Sequence, residues 1–163
     1  MIINHWGPTF TKLYHHRWPT SYLSIDTEFT GGNADKDLIM EIGHTLVEDG
    51  QVTNRLNLVL DWSGHSVVPE FWVRQALGRI KSQMGEGWRI SWDVMKSEGI
   101  KPEKALKFYY DLFKTWQDRG LPFVAHNGFY ADERMLIGHF AGFLGKKFRF
   151  GENSLFDTGA IFK

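Results

Sequence analysis

Residues 24–32 contain the two side chains best suited to chemistry, Asp26 and Glu28, and two glycines follow them directly. Alternate residues of a strand point to the same face, so we expect these two carboxylates side by side, about 6.6 Å apart along the strand. Two such acids repel each other, which raises the pKa of one of them or favours a cation between them. A divalent metal ion is one interpretation. Solvated acids at the entrance of a loop are the other, and for an isolated pair this second interpretation is the commoner.

The pattern of apolar residues predicts that Asp26 and Glu28 end the first strand of an α/β fold. Strands at 22–29, 38–47 and 52–60, joined by short turns, form an antiparallel meander. Further along the chain, the spacing predicts helices at 69–84, 92–98, from Pro102 through Trp116 and at 131–144, and strands at 121–125 and 154–157. The helix from Pro102 has a broad apolar stripe expected in the core: Ala105, Phe108, Tyr109, Leu112, Phe113 and Trp116. We therefore predict a mixed sheet with flanking helices.

Length and composition indicate one globular domain. The chain has 163 residues, of which 42% are hydrophobic and 15% aromatic, enough for a single core but not for two ordinary ones. Residues 1–20 contain two prolines and a polar run, and we interpret them as an N-terminal extension. The predicted domain therefore occupies residues 21–163.

The charge and the cysteine content of the chain limit which kinds of metal site and which partners it can have. The chain has no cysteine, so any metal ion must be held by oxygen or imidazole ligands, and this composition fits a reducing cytoplasm. We find no signal peptide and no membrane span. Lys plus Arg equals Asp plus Glu at 19 each, so the overall basic field typical of many nucleic-acid-binding proteins is absent.

A second acidic motif follows the fourth predicted strand, and with the first it carries a family resemblance. Residues 123–136 read FVAHNGFYADERML, which places Asp132 in the first turn of a helix that leaves a buried strand. Residues 26–31 read DTEFTG, and residues 38–43 read LIMEIG. Together these segments resemble the DEDD exonucleases, the DnaQ-like branch of the ribonuclease H-like fold. The spacing from His126 to Asp132 is similar to that of three-prime repair exonucleases and oligoribonucleases.

The resemblance implies a 3′-5′ exonuclease that hydrolyses phosphodiester bonds with two metal ions, Mg²⁺ or Mn²⁺. Asp26, Glu28 and Asp132 would be the catalytic metal ligands. Substrate-binding roles would fall to five further residues: Phe29, Thr30, Gly31, His126 and Asn127. For Phe29, a ring that stacks on or wedges against the terminal nucleotide and an ordinary core aromatic are equally good interpretations.

One motif of the family is missing from this chain. The family has a fourth acid on a later helix, accompanied by a general-base histidine in one branch and by a tyrosine in the other. The chain ends before that helix, and its one His-x4-Asp spacing joins His44 to Asp49, which are expected on opposite faces. Asp157 is expected to be structural. We interpret the chain as the N-terminal portion of a longer exonuclease in preference to one that has lost the motif.

The complete enzyme and a chain that has lost the last motif would have different partners. The complete enzyme would act on single-stranded 3′ ends of DNA or RNA, and no side chain can be tied to the 2′-hydroxyl that distinguishes the two. A chain without the last motif would be a non-catalytic nucleic-acid-binding or protein-interaction module, and acids with a purely structural role are the third reading. An incomplete domain also exposes apolar surface, so a second copy or a partner completing the fold is a further expectation.

Overall fold

The computed structural model describes residues 19–85, 88–125 and 131–150 and the backbone of residues 155–157. These parts of the chain contain nine elements: β1 (Tyr22–Phe29), β2 (Ile39–Glu48), β3 (Gln51–Val59), α1 (Glu70–Met84), α2 (Trp92–Glu98), α3 (Pro102–Asp118), β4 (Phe123–Ala125), α4 (Asp132–Leu144) and β5 (Leu155–Asp157). The predicted order and type of the elements are confirmed, with bounds that differ by at most two residues.

The five strands form one mixed sheet in the order β3-β2-β1-β4-β5. β1, β2 and β3 pair antiparallel, as the predicted meander requires, while β4 is parallel to both β1 and β5. The strand β1 therefore lies in the centre of the sheet, where neighbours on both sides fix its position. An acidic pair at the end of such a strand is held more rigidly than one on a loop.

Local signals set the ends of two helices. Ser91 precedes α2, and its Oγ accepts a hydrogen bond from the backbone N–H of Val94 at 3.1 Å, the N-cap arrangement predicted for this position. Gly145 follows α4 with φ 62°, ψ 23°, a left-handed conformation that glycine adopts without a steric penalty. The helix α4, which begins at Asp132, is thus limited by its sequence at its far end.

The helix α3 supplies much of the hydrophobic core. Phe113 is fully buried, and its ring lies between 5.5 and 6.1 Å, centroid to centroid, from those of Phe123, Phe140 and Phe150. The predicted apolar stripe was wrong at Phe108, which is 43% exposed. At 3.6 residues per turn, Phe108 lies roughly 110° around the helix from the mean direction of the buried positions. Its ring instead lies near that of His44, 6.4 Å away.

His139 on α4 ties this helix to the start of β2. It is 2% exposed, and its Nε2 accepts a hydrogen bond from the backbone N–H of Ile39 at 3.1 Å. Its Nδ1 lies 2.9 Å from the carbonyl oxygen of Met135, to which the neutral ring donates its proton. Burial lowers the pKa of His139 to about 4.

Because the unfolded chain has an ordinary histidine pKa of about 6.5, its His139 takes up a proton first as the pH falls. The stability that His139 contributes is therefore expected to decrease between about pH 6.5 and 4. We predict that the ring signals of His139 in an NMR titration of the folded protein remain constant from pH 7 to 5. The same signals in the urea-unfolded chain titrate near pH 6.5 and serve as the control. A midpoint near 6.5 in the folded protein would contradict this burial account.

Within the described residues, no helix is long and apolar enough to cross a membrane. The predicted N-terminal extension, residues 1–20, lies outside the described residues except at Pro19 and Thr20. The carbonyl oxygen of Thr20 accepts a hydrogen bond from the backbone N–H of Gly50 at 2.6 Å. The side chain of Asp157 and residues 158–163 also lie outside the described part.

Candidate active site

Asp26 and Glu28 lie on β1, on either side of the buried Thr27. Asp26 is exposed and Glu28 is partly buried, so the two carboxylates share the face opposite to that of Thr27, as the period of the strand predicts. The pairing of β1 with β2 shifts register between Glu28 and Phe29. Regular pairing therefore ends just after the second acid.

Asp132 meets β1 through Thr27, although the two residues are 105 positions apart in the sequence. The strand β4 pairs with β1 at Leu23 and Ser24, and farther along β1 the backbone N–H of Thr27 donates to Asp132 Oδ1 at 2.7 Å. The hydroxyl of Thr27 donates to the same oxygen at 2.5 Å. Asp132 is 3% exposed, so these bonds fix a buried carboxylate against the strand that carries the acidic pair.

Electrostatic interactions connect the three carboxylates. Burial raises the pKa of Glu28, and the negative charges of Asp26, Glu41 and Asp132 raise it further. Burial also raises the pKa of Asp132, with a further contribution from Asp26, although the hydrogen bonds from Thr27 act in the opposite direction. Asp26 and Asp132 therefore disfavour the charge of Glu28, and a cation among the acids would relieve this repulsion.

Glu41 is a fourth carboxylate at this place, and sequence reasoning did not single it out. It lies on β2 directly across from Glu28 and is 7% exposed. Arg89 Nη2 lies 2.5 Å from Glu41 Oε1, and the amide of Asn57 donates to the same oxygen. The guanidinium group of Arg89 is also 3.8 Å from Glu98. Glu41 is thus paired with Arg89, whereas Asp26 and Glu28 form no ion pair within the described residues and face the cleft.

That cleft has a volume of about 230 Å³ and is bounded by Asp26, Glu28, Glu41, Gly43, Asn57, Trp88, Arg89 and Ile90. Three carboxylates, one of them paired with Arg89, and the half-exposed guanidinium group of Arg89 therefore border the same space. Carboxylate oxygens suit Mg²⁺ and Mn²⁺, and a guanidinium group suits a phosphate. The donor types at the cleft fit a metal ion with a phosphate beside it.

The arrangement of the acids, in contrast, is not that of a formed metal site. Among residues 19–85, 88–125 and 131–150, no group of three or more His, Asp or Glu side chains has an arrangement suited to holding a metal ion. Asp132 gives one physical reason, since its Oδ1 already accepts two hydrogen bonds from Thr27. The residue types fit the metal, and ligation by Asp132 Oδ1 would compete with these two bonds.

The predicted substrate-binding residues are only partly described. Phe29 is half-buried and packs against the core. Thr30 is buried, and its hydroxyl accepts from the backbone N–H of Leu38 at 2.9 Å and donates to Asp37 at 3.2 Å. A Cβ at Gly31 would lie 2.6 Å from an Asp37 carboxylate oxygen, so a larger residue there would require this carboxylate to move. His126 and Asn127 lie outside the described residues, and a role of any of the five in binding nucleotides stays a prediction.

The bonds from Thr27 give a test of how Asp132 is held in place. We predict that Thr27→Val, which removes the hydroxyl and keeps the shape, lowers the free energy of unfolding by about 1.5–3 kcal/mol, because it takes a hydrogen bond from a buried carboxylate. Urea denaturation measures this change. Thr53→Val is the matched control, since Thr53 donates to the carboxylate of Glu48 at 3.1 Å on the surface and should cost less than about 0.5 kcal/mol. Equal losses in the two variants would contradict the account.

Comparison with known proteins identifies the fold. No protein-family model matches the chain, and no curated protein sequence matches it significantly. Solved structures do match. Exonuclease I of Methylocaldum szegediense superposes with a TM-score of 0.60 at 14% identity, over 85% of this chain and 28% of that one.

Two structures of Escherichia coli exonuclease I with single-stranded DNA also match. The metal-free form has a TM-score of 0.59 at 12% identity over 88% of this chain and 29% of that one, and the zinc-bound form 0.52 at 12% over 76% and 24%. The chain therefore spans about a quarter of the length of these exonucleases. At such low identities the similarity establishes the fold alone, a ribonuclease H-like mixed α/β fold, which confirms the predicted fold class.

Proposed function

We propose that this chain is a 3′-5′ exonuclease-like domain that hydrolyses phosphodiester bonds at single-stranded 3′ ends of DNA or RNA. One observation carries the proposal. Asp132, from the start of α4, lies against Thr27, between Asp26 and Glu28 at the end of the central strand. Two carboxylates at the end of one strand and a third from a distant part of the chain, with the pKa values of Glu28 and Asp132 both raised, support a functional site more than a structural one.

Each acid has a proposed role. Asp26, Glu28 and Asp132 would hold divalent cations, Mg²⁺ or Mn²⁺, two in the complete site. Such ions supply positive charge that activates a water molecule and stabilises the departing 3′ oxygen. Thr27 fixes one oxygen of Asp132 through two hydrogen bonds, so the other oxygen keeps a defined direction. Glu41 stays paired with Arg89 and serves to position that guanidinium group at the cleft.

Arg89 would contact the phosphate. Its guanidinium group is half-exposed and borders the same cleft as Asp26 and Glu28. An arginine that already binds a carboxylate through one nitrogen can still donate to a phosphate through its other N–H groups. A single basic group at the cleft fits a chain whose overall charge is zero, because the cations would offset most of the phosphate's charge.

The test is hydrolysis of 3′-labelled single-stranded DNA and RNA in Mg²⁺ or Mn²⁺, with EDTA as the blank. We expect metal-dependent release of the terminal label from at least one substrate, faster from a single strand than from a duplex. A 5′-labelled strand distinguishes stepwise shortening from internal cleavage. A rate in metal that equals the EDTA background would show that this chain has no such activity.

A second candidate function is supported by the arrangement of the acids. Asp132 Oδ1 is occupied by Thr27, and the described acids do not form a ready metal site. On this reading, the chain binds nucleic acid without hydrolysing it. The two functions separate in one experiment, because the non-catalytic module binds a labelled strand equally well in EDTA and in Mg²⁺ and leaves it intact in both.

A further inference from the structure

A groove of about 800 Å³ lies next to the site, between the loop that follows β1 and the first turns of α1. Thr30, two residues after Glu28, is part of its wall, so the groove begins where the acidic strand ends. Its volume is within the range of about 300–1,000 Å³ typical of sites that enclose a ligand of nucleotide size. The loop of residues 30–38 forms one side, and Trp72, Gln75, Ala76 and Arg79 of α1 form the other.

An exposed aromatic ring faces this groove. Trp72 lines it and is 60% exposed, whereas the neighbouring Phe71 is 68% exposed and does not line it. A large apolar ring left in solvent beside a polar loop costs free energy in the isolated chain. Indole rings are favourable platforms for unpaired bases, because every base has a flat face that can stack on them.

Two cations line the groove and can contact phosphates. Lys36 and Arg79 line it, and within the described parts of the chain neither forms an ion pair. Two acids, Asp35 and Asp37, line the same groove, and Asp37 accepts hydrogen bonds from Thr30 and from the backbone N–H of Asn33. These bonds leave the charge of Asp37 in place, so the two carboxylates balance the two cations. An exposed ring on which bases can stack, with two cations in the same groove, suits a single strand of nucleic acid, because a duplex keeps its base faces covered.

We propose that this groove holds the part of a single-stranded nucleic acid that lies beyond the nucleotide at the carboxylates, with one base stacked on Trp72 and phosphates near Lys36 and Arg79. The inference rests on the proposed function, because it takes the nucleic-acid end at Asp26 and Glu28 as its starting point. It adds a binding subsite on α1. It also makes the affinity depend on strandedness and on the length of the strand.

The test measures binding of a fluorescently labelled oligothymidylate in EDTA by fluorescence anisotropy, so that hydrolysis does not enter the readout. Trp72→Ala is expected to weaken binding about tenfold, and Trp72→Phe, which keeps a ring, less. Phe71→Ala is the matched control, since it removes an equally exposed ring outside the groove, and it should leave the affinity unchanged. Labelled duplex is expected to bind weakly to all four proteins.

The salt dependence of strand binding tests whether the cations of the groove contact phosphates. Arg79→Gln should reduce the slope of log affinity against log salt by about 0.7, the value for one phosphate contact on a single strand, whereas Lys96→Gln on α2 should leave it unchanged. Wild-type protein that does not bind the strand, or Trp72→Ala and Phe71→Ala with equal effects, would overturn the proposal. So would a concentration-dependent increase in mass by light scattering that Trp72→Ala abolishes while strand binding persists, because the groove would then bind a second copy.

These outcomes are separate from those of the proposed function. Label release by the wild type together with unchanged binding by Trp72→Ala rejects the groove and leaves the carboxylate site standing. Strand binding that depends on Trp72, without label release in Mg²⁺ or Mn²⁺, supports the groove and rejects hydrolysis by this chain.

Discussion

Asp26→Asn is expected to reduce metal-dependent release of a 3′ label by at least about a hundredfold, to the EDTA background. Asp26 is exposed at the cleft and raises the pKa of both Glu28 and Asp132, so it is the acid that lies near both others. Loss of a ligand that helps to hold the cations removes several kcal/mol of stabilisation from the transition state, and about 1.4 kcal/mol corresponds to tenfold in rate. Initial rates with 3′-labelled single strands measure the change.

The matched control for this substitution is Asp49→Asn. Asp49 is exposed in the turn after β2, at the opposite end of the paired strands from Glu28. The same chemical change there should leave the rate within about twofold of the wild type, because a surface substitution away from the site alters little. A rate for Asp26→Asn that equals the rate for Asp49→Asn would mean that Asp26 takes no part in hydrolysis.

Glu28→Gln is expected to separate stability from activity. Glu28 is disfavoured as an anion by its burial and by Asp26, Glu41 and Asp132, so in metal-free buffer at neutral pH a neutral side chain of the same shape should raise the melting temperature. Hydrolysis should nevertheless fall at least about a hundredfold, because the amide is a poor metal ligand. Thermal unfolding in EDTA and label release in Mn²⁺ measure the two effects on the same preparation.

The sign of the pH dependence provides a further check on Glu28. Since its pKa is raised in the folded chain, its contribution to stability is fully present below the ordinary glutamate pKa and is lost as the pH rises through the folded value. The melting temperature of Glu28→Gln should therefore exceed that of the wild type more at pH 7 than at pH 4. Glu70→Gln, an exposed control paired with Arg74, should lower stability slightly at most. A lower melting temperature for Glu28→Gln at pH 7 would refute the predicted repulsion.

Periodicity accounts for how much of the fold the sequence predicts. The strand β1 was predicted at its observed bounds because apolar residues alternate until the acidic pair, and a glycine-containing loop follows. The helix α4 was predicted within one residue for a similar reason, since Gly145 marks its end. The predicted burial of Phe108 was wrong because a stripe of apolar residues does not show how wide a face of the helix the sheet covers. That width depends on where the neighbouring elements lie, and the periodicity of one helix gives no information about their positions.

The site was predictable only in part. The shared face of Asp26 and Glu28 follows from the period of a strand, and Asp132 was proposed from a family resemblance. The bond from Thr27 to Asp132 depends on where β4 stops pairing with β1, which has no local signal. Glu41 had one available signal, an acid within a mostly apolar strand. No signal in the sequence indicated Arg89, because this residue reaches the cleft from the connection between the helices α1 and α2.

The most direct test of the central claim, that these carboxylates hold divalent cations, is the melting temperature of the wild type with and without Mn²⁺. Saturation at a hundred times the dissociation constant stabilises the chain by about 2.7 kcal/mol, which for a chain of this size corresponds to roughly 5–10 °C. The account predicts such a rise for the wild type and its absence in Asp26→Asn. Equal melting temperatures of the wild type in Mn²⁺ and in EDTA would contradict it.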